Sequence, residues 1–397
     1  MYPKADGTFI QWDMVENWSD KEWVAEFRYL KEIRMHYIII GISDKTKSDV
    51  LDSCLKNAAL CGLKVFISIH YSDGWWEKGS KNEKWLYEQM ETGASIANKV
   101  YEKYYDKYKS SFYGWYFVYE VDNMNFNSRA KFVMLSKALN ILLSNLRKNN
   151  HRLPMLISPF MNSVYGRPKE YAQNWAYLFT HTELGQGDIF CPQDSVGGGG
   201  LRIDEVEDWF KEFRKAVDKK PGLKFWANTE TFDHTNWCSA PLSRFVQQMK
   251  IESKYVDNII TFAYSHYYSP NNIDKRIHKI YLDYLETGVL IKDNPLPPSK
   301  IIIKRIGINK FEISWEQGES NVGIFGYELY RNGKKIFSTF LERKFGGKPQ
   351  GIVYSYIDSD ITKCNFLPAA LVPLMYQVKS IDLAGNISKG RSTCYRA

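Results

Sequence analysis

The sequence predicts a (β/α)8 barrel followed by a small all-β sandwich. Eight short apolar runs alternate with eight helical patterns over the first 290 or so of the 397 residues. Near-continuous apolar strands are typical of a parallel sheet that is covered on both faces, and eight βα units of this length match a barrel. A proline-rich break then follows, and beyond it the pattern is strand-like throughout. A chain of this length is long enough for two domains.

The eight predicted strands are rich in β-branched and aromatic residues, and they cover residues 8–12, 37–42, 64–70, 114–120, 154–159, 188–192, 223–230 and 258–264. The predicted helices between and after them cover residues 19–34, 47–61, 82–109, 128–149, 168–182, 203–219, 241–256 and 273–287. Ser19 and Glu22 form the pattern of a capping box, while Gly62 and Gly288 are C-cap signals. A doubly wound sheet is the alternative, but its first strand is usually followed by a glycine-rich turn, and here Trp12–Glu16 follows.

A composition change divides the chain into three predicted segments. Residues 1–290 form the catalytic barrel, residues 291–299 form a linker, and residues 300–397 form the sandwich. Pro295, Pro297 and Pro298 make the linker stiff and extended. After the linker, apolar and polar residues alternate with the period of a strand, and Asn332-Gly333 predicts a hairpin turn.

Composition excludes several classes of protein. With 44% hydrophobic and 25% charged residues, the chain is neither a disordered protein nor a coiled coil. Its six cysteines form no Cys-x-x-Cys pair, so neither a zinc ribbon nor a redox motif is indicated, and no run of about 18 apolar residues predicts a membrane span. Cys364 and Cys394 are a candidate disulfide pair. We expect no metal, no cofactor and no nucleic-acid partner.

Two glutamates lie where a barrel carries its chemistry, at the C-terminal ends of its strands. Glu120 ends the fourth predicted strand and Glu230 ends the seventh. Hydrolysis of a glycosidic bond uses two carboxyl groups, one that protonates the leaving oxygen and one that attacks the anomeric carbon or activates a water. The sequence therefore predicts Glu120 and Glu230 as a catalytic pair.

Other polar and aromatic residues at the strand ends are candidates for binding a sugar, because aromatic faces stack on sugar rings and amides bind hydroxyl groups. This predicted set contains Trp12, His70, Trp75, Trp76, Asn162, Gln193, Asp194, Trp226, Asn228, Tyr264 and His266. Structural roles without substrate contact stay open for some of them. Trp75 and Trp76 could pack in the core, the two histidines could be hydrogen-bonded residues of the barrel wall, and Asp194 could cap the loop that follows it. Gly197–Gly200 is interpreted as a flexible loop over the site.

The runs Gly7–Trp12 and Pro192–Gly197, together with Glu120 and Glu230, resemble an uncharacterised family of glycosidase-like (β/α)8 barrels related to clan-A retaining glycosidases. The resemblance implies that Glu120 is the acid/base and Glu230 the nucleophile. Clan-A enzymes carry Asn directly before the strand-four glutamate, where this chain has Tyr119. The C-terminal segment resembles a fibronectin type III module through Trp315, Gly326–Tyr330, Tyr376 and Asp382–Asn386.

These features predict a retaining glycoside hydrolase that acts on an oligo- or polysaccharide. A non-catalytic carbohydrate-binding barrel and an inverting glycosidase are the alternatives. We expect a monomer with a carbohydrate substrate. Because sandwich modules on glycosidases usually accompany export, we also expect a secreted or cell-surface protein whose signal peptide was removed, with a cytoplasmic protein as the alternative.

Overall fold

The chain forms two compact units, which are described separately below. The computed structural model describes residues 2–42, 48–148, 152–235, 237–341, 343–344, 351–359 and 374–395. One unit comprises Met1–His234 and Phe245–Asn271, and the other comprises Thr235–Arg244 and Asn272–Ala397. The bounds 1–290, 291–299 and 300–397 of the predicted segments stay a prediction.

The first unit is built on a closed barrel of eight parallel strands, which confirms the predicted fold class. The strands are β1 (Gly7–Gln11), β2 (Tyr37–Gly41), β3 (Lys64–Ser68), β4 (Phe112–Phe117), β5 (Met155–Ile157), β6 (Ile189–Phe190), β7 (Lys224–Glu230) and β8 (Asn258–Phe262). Each strand pairs with its neighbours in chain order, and β8 closes the barrel on β1 through Thr261 and Thr8.

Eight longer helices alternate with these strands along the chain. They are α1 (Asp20–Glu32), α2 (Ser48–Cys61), α3 (Glu83–Tyr104), α4 (Arg129–Arg147), α5 (Pro168–Thr180), α6 (Val206–Val217), α7 (Leu242–Glu252) and α8 (Lys275–Thr287). The capping box at Ser19 and Glu22 is confirmed, with the Ser19 amide donating to Glu22 Oε2 at 2.7 Å. Gly62 and Gly288 follow α2 and α8 with φ of 67° and 75°, a left-handed conformation that glycine adopts without strain.

The interior of the barrel is filled by side chains from alternate positions of the strands. Phe9, Ile39, Phe66, Tyr116, Leu156, Ile189, Cys191, Trp226, Ile260 and Ala263 form this cluster, and Val118 packs against it. Successive side chains of a strand point to opposite faces, so every second residue shares a direction. Glu120 continues the inward series of Tyr116 and Val118, and Glu230 continues that of Trp226. Both glutamates therefore point inward at the C-terminal mouth.

The second unit contains α8 and two antiparallel sheets. Its strands are β9 (Ile301–Gly307), β10 (Lys310–Trp315), β11 (Ile324–Arg331), β12 (Lys334–Phe340), β13 (Ser355–Asp358), β14 (Leu374–Asp382) and β15 (Arg391–Tyr395). One sheet has the order β9-β10-β13 and the other the order β12-β11-β14-β15. Trp315, Tyr327 and Tyr376 lie in the common core. The hairpin turn at Asn332-Gly333 is confirmed, with φ of 47° and 81°.

The suggested pairing of Cys364 with Cys394 cannot be followed further, because Cys364 lies outside the described residues.

Candidate active site

The barrel places both predicted catalytic glutamates at its C-terminal mouth. Glu120 lies three residues beyond the last residue of β4, and Glu230 is the last residue of β7. In the closed barrel, β5 and β6 separate these two strands. The side chains of the residues that follow β5 and β6 therefore lie between the two carboxyl groups.

The carboxyl group of Glu120 is half-buried and lies beside an amide. Gln193 Nε2 donates to Glu120 Oε1 at 3.0 Å, and the Trp75 indole donates to the Glu120 carbonyl oxygen at 2.9 Å. Burial raises the pKa of Glu120, since a charged carboxylate is poorly solvated there; the bond from Gln193 opposes this shift and the charge of Asp122 adds to it. A carboxyl group with a raised pKa retains its proton at higher pH, which suits a proton donor.

Glu230 has a different environment, in which backbone groups hold it. The side chain is 1% exposed, and the Gly198 amide donates to its Oε2 at 2.6 Å. Its own amide donates to Asp194 Oδ1 at 3.3 Å, and its carbonyl oxygen accepts from Gln248 Nε2 at 3.1 Å. Side chains therefore hold both the backbone amide and the backbone carbonyl of Glu230, and its carboxylate accepts a backbone hydrogen bond.

The four-glycine loop forms part of the wall around Glu230. A Cβ atom on Gly197 would lie 2.8 Å from the Glu230 Cβ, and one on Gly200 would lie 2.1 Å from the Met161 carbonyl oxygen. The His234 amide also donates to the Gly197 carbonyl at 2.9 Å. These glycines allow a close approach of backbone to backbone and to the Glu230 side chain, and the flexibility of the loop stays a prediction.

Gln193, which follows β6, and Asn228, which lies two residues before Glu230 on β7, are joined through Ser158. Asn228 Nδ2 donates to Ser158 Oγ at 3.1 Å, and Gln193 Nε2 approaches the Ser158 carbonyl at 3.3 Å. Asn228 and Gln193 are 2% and 9% exposed, respectively, so they form the floor of the mouth. Gln193 holds the Glu120 carboxyl group, and Asn228 stabilises the floor through its bond to Ser158.

Asp194 is fully buried and does not reach a substrate. Its Oδ1 accepts from the amides of Glu230 and Val196, and its Oδ2 accepts from Gln248 Nε2. Direct sugar binding by Asp194 is therefore wrong. Its carboxyl group fixes the backbone of the nucleophile candidate.

Two of the predicted sugar-stacking tryptophans are buried among other aromatic rings. Trp75 is 3% exposed, and its ring lies 4.8 Å from that of Tyr119 and 5.3 Å from that of Phe126. Trp226 is also 3% exposed and lies 4.9 Å from the Tyr37 ring inside the barrel, four residues before Glu230. A sugar ring cannot stack on either face, so both predictions are corrected to packing roles.

Tyr264 and His266 are also buried, because the chain leaves β8 earlier than predicted. β8 ends at Phe262, and Tyr264–Tyr267 form a short helical turn. Tyr264 is 0% exposed and His266 is 1% exposed. His266 Nε2 accepts from the Gln11 amide at 3.2 Å, which makes it a packed wall residue and not a substrate contact.

Trp12, His70, Trp76 and Asn162 retain solvent exposure, with Trp76 51% exposed. Asn162 Oδ1 accepts from the Val164 amide at 2.9 Å, so its carbonyl group is partly committed to its own loop. Substrate binding by these four residues stays a prediction.

Sequence reasoning missed Gln248 and Glu252, which lie on α7 behind Glu230. Glu252 is fully buried and accepts a hydrogen bond from the Thr229 hydroxyl. Burial is the main cause that raises its pKa well above the usual value, followed by the charge of Asp194. The sequence did contain a signal for them. Gln248 and Glu252 are four positions apart, on the same helix face as the apolar residues Phe245 and Met249.

Within the described residues, no group of three or more His, Cys, Asp or Glu side chains is placed to hold a metal ion. The helices of the same residues include none that is long and apolar enough to cross a membrane.

The fold and site define a (β/α)8 barrel with two inward carboxyl groups at the C-terminal ends of β4 and β7. Comparison of sequences gives the family: residues 5–274 match the family described as "Domain of unknown function (DUF4434)", and the chain belongs to it. No curated protein matches the chain.

Solved structures with a similar fold include one described as a "putative alpha-L-fucosidase" from Bacteroides thetaiotaomicron VPI-5482. It is 22% identical with a TM-score of 0.59, and the match covers 72% of this chain and 96% of that one. A GH39 beta-xylosidase from Caulobacter crescentus matches with 11% identity, a TM-score of 0.44 and coverage of 83% and 82%. A GH18 chitinase from Pseudoalteromonas aurantia matches with 12% identity, a TM-score of 0.44 and coverage of 71% and 99%. The first similarity shows the barrel fold.

Proposed function

We propose that this protein is a retaining glycoside hydrolase in which Glu120 is the general acid/base and Glu230 is the nucleophile. The observation that carries the proposal is the difference between the two carboxyl environments. Burial raises the pKa of Glu120, whereas the Glu230 carboxylate accepts a 2.6 Å bond from the Gly198 amide. Pairs of carboxyl groups with different environments are typical of glycosidases.

The proposed reaction has two steps. In the first, Glu120 donates its proton to the glycosidic oxygen as the bond from that oxygen to the anomeric carbon breaks, and a Glu230 oxygen bonds to the anomeric carbon. In the second, Glu120 takes a proton from water while the water oxygen attacks the same carbon and releases Glu230. Gln193 orients the Glu120 carboxyl group in both steps through its 3.0 Å bond.

The substrate class is carbohydrate, bound by the exposed residues of the mouth. Trp76 supplies an exposed aromatic face, and Trp12, His70 and Asn162 supply further contacts. Tyr119 packs against the rings of Tyr71 and Trp75 at 5.6 and 4.8 Å, so it does not replace the asparagine amide that clan-A enzymes carry at this position. A contact to the sugar 2-hydroxyl must come from another residue.

The test begins with a panel of aryl glycosides and polysaccharides, which includes aryl α-L-fucosides because of the description of the similar Bacteroides structure. On a substrate found in this way, Glu230→Gln should lower kcat/KM by about a thousandfold or more. Glu91→Gln, a change at an exposed helix position, should leave it unchanged. Wild-type activity in Glu230→Gln would refute the assignment.

Azide separates the roles of the two glutamates. Glu230→Ala with azide should give a glycosyl azide of inverted configuration, and Glu120→Ala with azide should give one of retained configuration. The configuration of the first wild-type product, followed by NMR, decides between retention and inversion. Binding of glycans without turnover, with the glutamine variants altering affinity alone, would favour the carbohydrate-binding barrel.

For the second unit we propose a fibronectin type III-like spacer. This proposal is supported by a three-stranded and a four-stranded antiparallel sheet, packed over Trp315 and Tyr327. We also propose a monomer that acts outside the cytoplasm. Light scattering of the purified protein and fractionation of the native cells test these two statements, and a dimer or a cytoplasmic pool would refute them.

A further inference from the structure

The buried polar cluster behind Glu230, formed by Asp194, Thr229, Gln248 and Glu252, contains two carboxyl groups that no proposed catalytic step uses. Asp194 and Glu252 are both 0% exposed, and they lie against the outer side of the β6 and β7 ends, opposite to the inward Glu230 carboxylate. Asp194 follows the inward Gln193 in sequence, and Glu252 accepts from the hydroxyl of Thr229, the neighbour of Glu230. Alternation along a strand therefore puts this pair outside the barrel and the nucleophile candidate inside.

The hydrogen bonds of the pair require a proton. Three donors already point at Asp194: the Glu230 and Val196 amides at 3.3 and 3.1 Å, and the Gln248 side-chain amide. Thr229 donates to Glu252 Oε2, while no donor in the described part of the chain faces the buried Glu252 Oε1. A side-chain hydrogen bond with Asp194 is among the causes that raise the pKa of Glu252. Two ionised carboxylates are both acceptors only, so a bond between them needs one proton.

We propose that Glu252 holds this proton on Oε1 and donates it to ionised Asp194, forming a carboxyl–carboxylate pair that positions the Glu230 backbone. Glu252 acts through Asp194 and is a positioning residue, since it does not touch the mouth. The catalytic consequence rests on the proposed function, but the proton and the pair do not.

The surroundings of Glu252 keep it neutral. The ionisable groups whose charges act on Glu252 are Asp194 after β6, Glu230 at the end of β7 and the buried thiol of Cys191. Two of these three are carboxyl groups, and burial penalises a further charge, so the pKa of Glu252 lies well above its usual value. Gln248 and Thr229 supply neutral dipoles to the same cluster.

The first experiment detects the proton directly, in the full chain. The infrared spectrum of wild type minus that of Glu252→Gln at pH 7 in D2O should contain the C=O band of one protonated carboxyl group. Glutamine is a close match in shape, can donate to Asp194 and can accept from Thr229, so the variant should fold. The control difference spectrum of wild type minus Glu91→Gln should contain only a carboxylate band. Absence of the protonated band at Glu252 would overturn the proposal.

The second experiment uses the pH dependence of unfolding. The folded pKa of Glu252 is raised, so between the unfolded and folded pKa the folded protein binds one more proton, and stability falls as the pH rises. Relative to Glu252→Gln, the unfolding equilibrium constant of the wild type should increase about tenfold per pH unit above the ordinary pKa of glutamate. Parallel curves for the two proteins would refute the shared proton.

The positioning role has its own measurement. Glu252→Leu removes both the donor and the acceptor, and it should lower kcat about tenfold more than Glu252→Gln does, while KM changes little in both. Equal losses in both variants, or losses in KM alone, would refute positioning. If no glycoside is hydrolysed at all, the proposed function fails while the infrared and unfolding results still decide the proton.

Discussion

The bond from Gln193 to Glu120 allows a quantitative prediction. Gln193→Leu removes the Nε2 donor that lies 3.0 Å from Glu120 Oε1 and keeps a side chain of similar size. The lost bond stabilises the ionised form of Glu120 and lowers its pKa, so its removal must raise that pKa further.

The magnitude follows from the energy of a bond to a charged group. Such bonds contribute about 1.5–3 kcal/mol, and one pKa unit corresponds to about 1.4 kcal/mol, which gives a rise of about one to two units. Gln193 Nε2 also approaches the Ser158 carbonyl at 3.3 Å and shares its donor capacity. The lower end, a rise of about one unit, is therefore expected.

The assay is a carbon-13 NMR titration of glutamate carboxyl groups, assigned with Glu120→Gln, and it needs no substrate. In the proposed enzyme, the same change moves the alkaline limb of the kcat/KM profile upward by about one pH unit. Gln173→Leu, at an exposed position on α5, is the matched control and should move neither. An unchanged or lowered pKa of Glu120 would refute the reasoning.

Two further predictions concern packing. Gly200→Ala places a Cβ 2.1 Å from the Met161 carbonyl and should destabilise the fold by about 1–3 kcal/mol, whereas Gly41→Ala meets nothing within 4 Å and should change stability little; calorimetry that shows equal losses would contradict the packed loop. Trp226→Ala should cost about 3–5 kcal/mol of stability because the ring fills the barrel interior, whereas Trp76→Ala should cost little stability and weaken glycan binding; equal unfolding curves for the two variants would show that the burial assignment is wrong.

The barrel could be predicted from the sequence because its strands are apolar on both faces. β2, with Ile38, Ile39 and Ile40, and β3, with Val65, Phe66 and Ile67, are buried along their lengths, so the runs stand out between amphipathic helices. The sequence defines the ends of the strands less sharply, since an aromatic residue fits a strand or a helical turn. Tyr264 continues the apolar run of β8 in sequence but starts a helical turn in the structure.

Residue type predicted the position of the two glutamates at the mouth better than it predicted the exposure of the aromatic residues. A glutamate at the end of a barrel strand has few roles in a buried core, whereas a tryptophan fits a buried core as well as a sugar-binding surface. Trp226 belongs to the inward series of β7, as Glu230 does, but it lies deeper, and depth along a strand decides whether an inward residue meets solvent or other rings. The sequence contains the alternation but not the depth at which each inward side chain lies in the barrel, so it predicts Trp226 at the mouth.

The residues after β6 explain how one short segment serves both glutamates. Gln193 and Asp194 are adjacent, so strand alternation sends their side chains to opposite faces. The inward Gln193 binds the Glu120 carboxyl group, and the outward Asp194 binds the Glu230 amide. A displacement of this dipeptide would therefore move a contact of each glutamate at once. In the proposed enzyme, the mechanism depends on the distance between the two carboxyl groups, and Gln193 and Asp194 together set the positions of both glutamates. Because the two residues are adjacent and act on the same distance, we expect their substitutions to be strongly non-additive in their effect on kcat.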